Sequence, residues 1–453
     1  MKPIRYVLAF LLGSALLMST GSHAVSNPAG PDLAPTPPMG WNSWDSYGPT
    51  VREDEVKANA DYLAKNLAQF GWQYIIVDIE WYQPNAKSHG YIPRGAVTMD
   101  EYGRFVPSPN RFPSAVDGAG FKPLADYIHS KGLKFGFHIM RGIPREAVER
   151  NLPIKGTDFH AADVADKVNV CRWEGMEDTF GVDMSKRGAQ AYYDSIAELY
   201  ASWGADYIKA DDLSTPARAS EILALHEALK KTGRPIVLSL SPGPFLPEYA
   251  DFLKTTAQLW RISFDFWDNW DSLKKQFEIT HRWETHVEAN SWPDADMLPL
   301  GRIGIRAERG DDRSSLFTHD EQQTLMTLWS IFRSPLMFGG DLPSNDDFTL
   351  SLLTNDEVLA ADQAGTHSRQ LFQRGDQIAW TSDAAAPGGK YLAVFNVGDQ
   401  AALEIRVEWS ELGLPATCAV RDLWEKKDLG RVKDGYAFKI PAHGSGLYRV
   451  RKP

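Results

Sequence analysis

Acidic and basic side chains lie at or just after the ends of short apolar runs in the first three quarters of the chain. These residues are Asp78, Lys209, Asp211, Arg261, Asp265, Asp294 and Asp296. Short apolar runs are typical of buried strands, and the carboxyl ends of parallel strands lie at one edge of a sheet. We therefore expect these side chains to gather in one place. Two carboxyl groups in different environments are the groups that hydrolyse a glycosidic bond.

Each carboxylate also has a plainer explanation. An aspartate at a strand end often caps the helix that follows. In the pair Asp211-Asp212, one residue could be catalytic and the other an N-cap. Asp294 and Asp296 together could bind a cation, although two carboxylates alone are a weak metal signal.

The remaining polar candidates divide in the same way. Lys209 lies within an apolar strand and needs a charged partner, and Asp211, two residues on, points to the same side. Arg261 and Asp265 could form a structural ion pair instead of a functional one. His138, in the run KFGFHIM (134–140), has the alternative role of a hydrogen-bonded core histidine.

The elements that must position these residues alternate strand and helix from about residue 35 to 345. We predict strands at 38–41, 74–78, 134–140, 206–210, 235–241, 258–263, just before Asp296 and at 334–338. We predict helices at 53–70, 123–131, 185–203, 217–231, 272–287 and 318–332. About eight β-then-α units predict an α/β fold, a (β/α)8 TIM barrel, and an open doubly wound sheet is the alternative.

The pattern changes after about residue 360. Helical periodicity stops, and short alternating runs separated by Gly, Pro and Asp predict a small C-terminal antiparallel β-sandwich. The predicted strands are 377–381, 391–396, 403–409, 436–440 and 446–450. We assign residues 25–358 to the catalytic barrel and 359–453 to the sandwich, which we expect to pack directly on each other.

The N-terminus predicts export. Lys2 and Arg5 precede an apolar run at 6–18, and Ser22-His23-Ala24 resembles a cleavage site, so residues 1–24 are interpreted as a signal peptide. The run is shorter than the ~18 apolar residues that a membrane span requires. We expect an exported protein, periplasmic or extracellular, with no membrane attachment after cleavage.

Composition and motifs narrow the function classes. The 453 residues contain 48 Lys+Arg and 59 Asp+Glu, a formal charge of −11, which disfavours nucleic acid as a partner. The two cysteines, Cys171 and Cys418, exclude a disulfide framework and are predicted to be buried free thiols. No zinc-ligand spacing or phosphate-binding glycine loop occurs, so no metal or cofactor is expected.

Eight segments, in order along the chain, resemble glycoside hydrolase family 27, the α-galactosidase family. They are PPMGWNSW (37–44), YIIVDIEW (74–81), HSKGLKFGFH (129–138), DYIKADD (206–212), LWRISFD (259–265), WPDADML (292–298), SPLMFGGDL (334–342) and LLTNDEVLAADQ (352–363). The resemblance covers most of the chain. It implies a pocket for one terminal sugar and a mechanism that retains the anomeric configuration.

The resemblance also implies roles for individual residues. Asp211 would attack the anomeric carbon, and Asp265 would protonate the leaving oxygen and then activate water. Lys209 would support Asp211 by its charge.

The same resemblance implies four sugar-binding residues. Trp44 would form an apolar wall under the ring, and Arg261 would bind near the 2-hydroxyl. Asp78 would accept hydrogen bonds from sugar hydroxyls, and Asp296 would shape the same pocket.

Three departures from the family pattern concern specificity. Ile79 stands where the family commonly has a second aspartate that binds the galactose 6-hydroxyl, which favours β-L-arabinopyranose, a pentose of galacto configuration without the hydroxymethyl group. Alternatively, Ile79 points into the barrel wall and Glu80 binds that hydroxyl. His138 replaces a usual tyrosine. Ser241 replaces a glutamate and leaves room for a 2-acetamido group.

We therefore expect a secreted retaining exo-glycosidase that acts on terminal galactosides or arabinopyranosides of plant-type oligo- or polysaccharides. Alternatives are a strict α-galactosidase, an α-N-acetylgalactosaminidase, a transglycosylase, and a carbohydrate-binding protein without activity. The sequence does not determine the oligomeric state.

Overall fold

A computed structural model of the chain describes residues 32–171, 176–385 and 388–453. The expected signal peptide at 1–24 lies outside the described residues. Residues 33–453 form one compact unit. Among the described residues, no helix is long and apolar enough to cross a membrane. Cys171 and Cys418 are both buried, as predicted.

Eight parallel strands form the first sheet, in the spatial order β7-β6-β5-β4-β3-β2-β1-β8. The strands are β1 (Met39–Asn42), β2 (Tyr74–Val77), β3 (Lys134–Met140), β4 (Tyr207–Asp211), β5 (Val237–Leu240), β6 (Leu259–Arg261), β7 (Trp292–Asp294) and β8 (Leu336–Phe338). The chain just beyond β7 closes the ring, because Leu298 forms a parallel bridge with Phe338. This confirms the (β/α)8 barrel over the open sheet.

One main helix follows each strand and covers the outside of the barrel. The helices are α1 (Glu53–Asn66), α2 (Lys122–His129), α3 (Ala189–Ser202), α4 (Ala219–Lys231), α5 (Ala250–Thr256), α6 (Trp270–Trp283), α7 (His319–Phe332) and α8 (Asp356–Ala364). Shorter helices are Trp44–Tyr47, Arg145–Glu149, Ala161–Val164 and Asp347–Leu353; shorter strands are Ile143–Pro144, Ala165–Val170, Thr179–Val182, Arg302–Ile303 and Arg313–Ser314.

Alternation along the strands separates two apolar layers. Ile75 and Val77 of β2 belong to the layer between the strands and the helices. Tyr74 and Ile76 belong to a second layer that also contains Tyr207 of β4. Since successive side chains of a strand point to opposite faces, residues 209 and 211 share the inward side of residue 207. The barrel thus turns alternate residues toward its axis.

The C-terminal strands form an antiparallel sandwich. They are β9 (Thr366–Arg374), β10 (Gln377–Asp383), β11 (Gly389–Asn396), β12 (Ala402–Glu408), β13 (Thr417–Asp422), β14 (Lys427–Lys433), β15 (Gly435–Pro441) and β16 (Ser445–Arg451). Six strands pair in the order β9-β10-β11-β16-β13-β14, and β12 pairs with β15. Ile405, Phe438 and Val394 share the apolar core of this domain.

Three of these strands were not predicted from the sequence. β14 (KDLGRVK) is largely exposed and lies at an edge of the six-stranded sheet, so it lacks the apolar alternation that marks a half-buried strand. β9 and β13 carry polar side chains on much of their length. The expected domain boundary after residue 358 lies inside α8, and the first strand of the sandwich begins at Thr366.

The two domains share one apolar core. Phe277 of α6 meets Phe395 of β11 edge to face, with ring centroids 4.9 Å apart. Thr327 of α7 accepts a hydrogen bond from the indole of Trp424 at 2.9 Å and bonds to Ser445 at 2.9 Å. This explains why α7 is buried along most of its length.

We predict that Phe395→Ala destabilises both domains together. Phe395 is fully buried, so its truncation should cost about 3–5 kcal/mol through lost burial and a cavity. Differential scanning calorimetry should show one transition at a lower Tm. Val168→Ala, at an 86% exposed position, serves as the control and should stay within about 0.5 kcal/mol of wild type. A separate early transition with an unchanged second one would contradict the shared core.

Candidate active site

A cavity of about 340 Å³, including its open mouth, lies at the carboxyl ends of the barrel strands. Eight of the ten predicted site residues line it: Trp44, Asp78, Lys209, Asp211, Ser241, Arg261, Asp265 and Asp296. They come from the ends of β1, β2, β4, β5, β6 and β7 or from the loops that follow. The barrel therefore brings together residues up to 252 positions apart, as the strand-end pattern predicted.

Asp78 and Lys209 form a buried ion pair across the floor of the cavity. Lys209 Nζ lies 2.8 Å from Asp78 Oδ2, and Asn42 Nδ2 donates to the same oxygen at 2.9 Å. Although burial alone would raise it, the pKa of Asp78 is lowered to about 2 by Lys209 and His138. The pKa of Lys209 is raised, since the attraction of Asp78 outweighs its burial. Lys209 therefore has a direct partner other than the expected Asp211.

Asp211 is held by His138. The two side chains are buried, and His138 Nε2 lies 2.8 Å from Asp211 Oδ2. The backbone N–H of Asp212 donates to the other oxygen, Oδ1, at 2.5 Å. His138 does not line the cavity but lies beside Asp211. These two contacts fix the orientation of the carboxylate that ends β4.

Arg261 connects two further carboxylates. Its guanidinium lies 2.5 Å from Asp296 Oδ2 and 3.4 Å from Asp265 Oδ1. Asp296 also accepts a hydrogen bond from the backbone N–H of Phe266 at 2.7 Å. Burial raises the pKa of Asp296 to about 7, Arg261 opposes this, and Asp265 adds to it. The close pair is thus Arg261–Asp296, while Asp265 makes only long contacts and its side chain is 24% exposed.

Asp294 bonds to the backbone of Asp296. Asp294 Oδ1 accepts a hydrogen bond from the backbone N–H of Asp296 at 2.9 Å. Within the described ranges, no group of three or more His, Cys, Asp or Glu side chains is arranged to hold a metal ion.

Asp45 is a cavity residue that the sequence analysis missed. It directly follows Trp44, is 2% exposed, and its Oδ2 has no hydrogen-bond partner among the described residues. Burial, and then the charge of Asp296, raise the pKa of Asp45 well above its usual range. A carboxyl group kept neutral can donate a hydrogen bond. Its position in the WNSWD segment was the available signal.

Ile79 does not line the cavity. It is 1% exposed and belongs to the apolar layer that contains the cavity residues Trp44 and Met297. Its backbone N–H donates to Asp78 Oδ1 at 2.8 Å. Ile79 therefore gives the site an apolar backing at the position next to Asp78.

Glu80 is buried away from the cavity, so it is not placed to bind a sugar hydroxyl. Its backbone has a left-handed φ of 62°, and neither carboxyl oxygen has a hydrogen-bond partner in the described part of the chain. Burial and the neighbouring Asp178 raise the pKa of Glu80 to about 8, and Arg111 opposes them.

We predict that Glu80→Gln changes how stability depends on pH. Because the pKa of Glu80 is raised on folding, the folded protein holds a proton that the unfolded chain releases, and the free energy of unfolding falls between about pH 4.5 and pH 8. One such group contributes at most about 1.4 kcal/mol per pH unit. Denaturant unfolding at pH 5 and pH 8 should show Glu80→Gln gaining stability relative to wild type at pH 8. The exposed Glu278→Gln should show no such gain, and an equal difference at both pH values would refute the assignment.

Family models cover most of the chain. One described as α-galactosidase A matches residues 36–147 and 175–364. A second, described as the α-galactosidase C-terminal β-sandwich domain, matches residues 374–450. The two matches correspond to the barrel and to the sandwich.

Individual relatives match over nearly the full length. The crystal structure of a family 27 β-L-arabinopyranosidase from Geobacillus stearothermophilus is 52% identical, with a TM-score of 0.90, and the match covers 93% of this chain and 97% of that chain. A putative α-N-acetylgalactosaminidase from Bacillus halodurans is 43% identical, with a TM-score of 0.84, covering 92% and 97%. An α-galactosidase from Coffea arabica is 30% identical, covering 92% of this chain and 94% of the relative.

The barrel carries several carboxyl groups at its mouth and is followed by a C-terminal sandwich, and both domains match models of one family. The chain therefore belongs to the α-galactosidase family, glycoside hydrolase family 27, and is a glycoside hydrolase.

Proposed function

We propose that the protein is an exported retaining exo-glycosidase that removes terminal β-L-arabinopyranosyl residues, and more slowly α-D-galactopyranosyl residues, from plant-type oligo- or polysaccharides. The observation that carries the proposal is the cavity in which Asp211 and Asp265 accompany an apolar wall, Trp44, while Ile79 stands beside Asp78. The 52% identity to a β-L-arabinopyranosidase supports the choice of sugar. Export rests on residues 1–24 of the sequence.

In the first step, Asp211 attacks the anomeric carbon and Asp265 donates a proton to the leaving oxygen. His138 and the backbone N–H of Asp212 each contact one oxygen of Asp211. These contacts orient the carboxylate before the substrate binds. Asp265 is the less buried of the two carboxyl groups, so it can exchange protons with solvent. The products of this step are a glycosyl-enzyme ester and the free leaving group.

In the second step, Asp265 accepts a proton from water as the water attacks the anomeric carbon. The ester bond to Asp211 breaks, and the carboxylate and a sugar of retained configuration are released. Arg261 contacts both Asp265 and Asp296, so it links the acid/base residue to the pocket wall.

The sugar hydroxyls meet a cavity with several hydrogen-bonding groups already fixed. Asp78, whose pKa is lowered to about 2, accepts hydrogen bonds, while burial raises the pKa of Asp45 and so favours the form that has a hydrogen to donate. Next to Asp78, Ile79 offers no polar atom. A galactose hydroxymethyl group on the Asp78 side of the cavity would receive no hydrogen bond from residue 79 and would lose one that it makes in water, whereas the pentose has no such group to lose.

A second candidate activity is α-N-acetylgalactosaminidase. Ser241 lines the cavity, its side chain is small, and its buried Oγ has no hydrogen-bond partner in the described part of the protein. A 2-acetamido group could occupy that space. The relative from Bacillus halodurans is named as a putative α-N-acetylgalactosaminidase. Hydrolysis of p-nitrophenyl N-acetyl-α-D-galactosaminide at a rate comparable with the pentoside would favour it.

We predict that kcat/KM for p-nitrophenyl β-L-arabinopyranoside exceeds that for p-nitrophenyl α-D-galactopyranoside by about tenfold or more, since a missing polar partner costs at least this much. Asp211→Asn should lower kcat by about 10⁴-fold or more, as removal of a nucleophile does. Asp126→Asn makes the same chemical change at an exposed position and should leave kcat unchanged. NMR of the first product should show retained configuration; an inverted product would refute the double displacement, and a faster galactoside would refute the sugar preference.

We predict that Ile79→Asp shifts the ratio of the two kcat/KM values toward the galactoside by about tenfold, because a carboxylate supplies the missing hydrogen-bond partner. The ratio is the measurement, since a loss of folded protein cancels in it. Ile79→Val keeps an apolar side chain and is the matched control, with an unchanged ratio. If Ile79→Asp leaves the ratio unchanged while the protein remains folded, another residue sets the preference.

A further inference from the structure

An exposed aromatic side chain adjoins the cavity. Phe264 is 67% exposed, and it is the aromatic member of the six exposed large apolar side chains in the described part of the chain. It immediately precedes Asp265. Leaving a phenylalanine ring in water forgoes about 1.5–3 kcal/mol of burial, so its position beside a reacting carboxyl group calls for a functional explanation.

Phe264 belongs to the loop after β6, and its ring approaches the loop after β5. A Cβ atom at Gly243 would lie 3.5 Å from Phe264 Cε1, so the ring edge is close to the loop that follows β5. Within the loop after β6, the guanidinium of Arg261 donates to the carbonyl of Ser263 at 3.2 Å, and the N–H of Phe266 donates to Asp296 at 2.7 Å. The backbone on both sides of Phe264 is therefore anchored to cavity residues.

The neighbouring rim residues are also largely apolar. Pro242, beside Gly243, and Trp267, two residues after Asp265, both line the cavity. The indole N–H of Trp267 is buried and has no hydrogen-bond partner among the described residues. The rim thus combines apolar surface with an unused donor on the side of the cavity that carries Asp265.

The role of Asp265 in the reaction indicates which part of the substrate lies against this rim. In the proposed function, Asp265 protonates the oxygen that joins the terminal sugar to the rest of the substrate. The terminal sugar occupies the cavity, so the leaving group extends from that oxygen outward on the Asp265 side. We propose that Phe264, together with Trp267, forms a subsite for the leaving group, which is a sugar ring that lies with its apolar C–H face on the phenyl ring. This inference rests on the proposed function.

The subsite acts on one part of the reaction. It binds the leaving group during formation of the glycosyl-enzyme and is vacated before water attacks. Its contribution therefore enters kcat/KM, which covers the steps through the first bond cleavage. A substrate whose leaving group is a single atom gains nothing from it.

The test compares leaving groups on one terminal sugar. We would measure kcat/KM of wild type and Phe264→Ala for β-L-arabinopyranosyl fluoride and for a disaccharide with a terminal β-L-arabinopyranosyl residue. Loss of one stacked ring should lower the disaccharide value about three- to tenfold and leave the fluoride value unchanged. Phe264→Tyr should restore the disaccharide value, and Leu246→Ala, at an exposed position on the loop after β5, should change neither.

The outcomes separate this inference from the proposed function. Equal losses for fluoride and disaccharide, or no loss for either, would overturn the leaving-group subsite while the glycosidase assignment stands. Failure of wild type to hydrolyse the fluoride, with either this pentose or α-D-galactose as the sugar, would overturn the proposed function itself.

Discussion

Five carboxyl groups facing one small cavity are the constraint on which the rest of the site depends. Asp45, Asp78, Asp211, Asp265 and Asp296 line this space together with two cationic side chains, Lys209 and Arg261. Buried like charges repel strongly, so each carboxyl group needs its own compensation. Lys209 pairs with Asp78, Arg261 pairs with Asp296, and His138 bonds to Asp211, while burial raises the pKa of Asp45 well above its usual range. Asp265 is left as the partly exposed carboxyl group.

The barrel makes this arrangement possible because the backbone of each strand determines the direction of its side chains, whether they are charged or apolar. Tyr207, Lys209 and Asp211 occupy every second position of β4 and therefore point to the same, inward side. The interior of the barrel thus ends in charged residues at its mouth. The closing contact between Leu298 and Phe338 determines where β7 and its loop stand. The sandwich contributes at a distance: it buries α7, whose Trp329 indole donates to the carbonyl of Asp296 at 2.8 Å. Core packing thus reaches the cavity wall.

In our proposal, specificity depends on two parts of the same pocket. In one part, Ile79 backs Asp78 with apolar atoms, and we propose that a hydroxymethyl group would lack a polar partner there. In the second part, Phe264 and Trp267 accompany Asp265 at the rim, where the leaving group lies in our proposal. The charged groups of the cavity would then bind the features that galactose and arabinopyranose share. On this proposal, sugar selection and leaving-group selection rest on different residues.

The sequence by itself determined the architecture and most of the cavity residues. Apolar runs such as Tyr74–Val77, each followed by an amphipathic helix, predict a parallel barrel, and charged residues at strand ends predict the site, because local periodicity reports burial. Partners were decided only by the tertiary structure. Lys209 pairs with Asp78, 131 positions away, and His138 contacts Asp211, 73 positions away. No local sequence pattern specifies either contact. The cavity residue Asp45 and the polar edge strand Lys427–Lys433 were missed for the same reason: burial and strand pairing depend on neighbours distant in the chain.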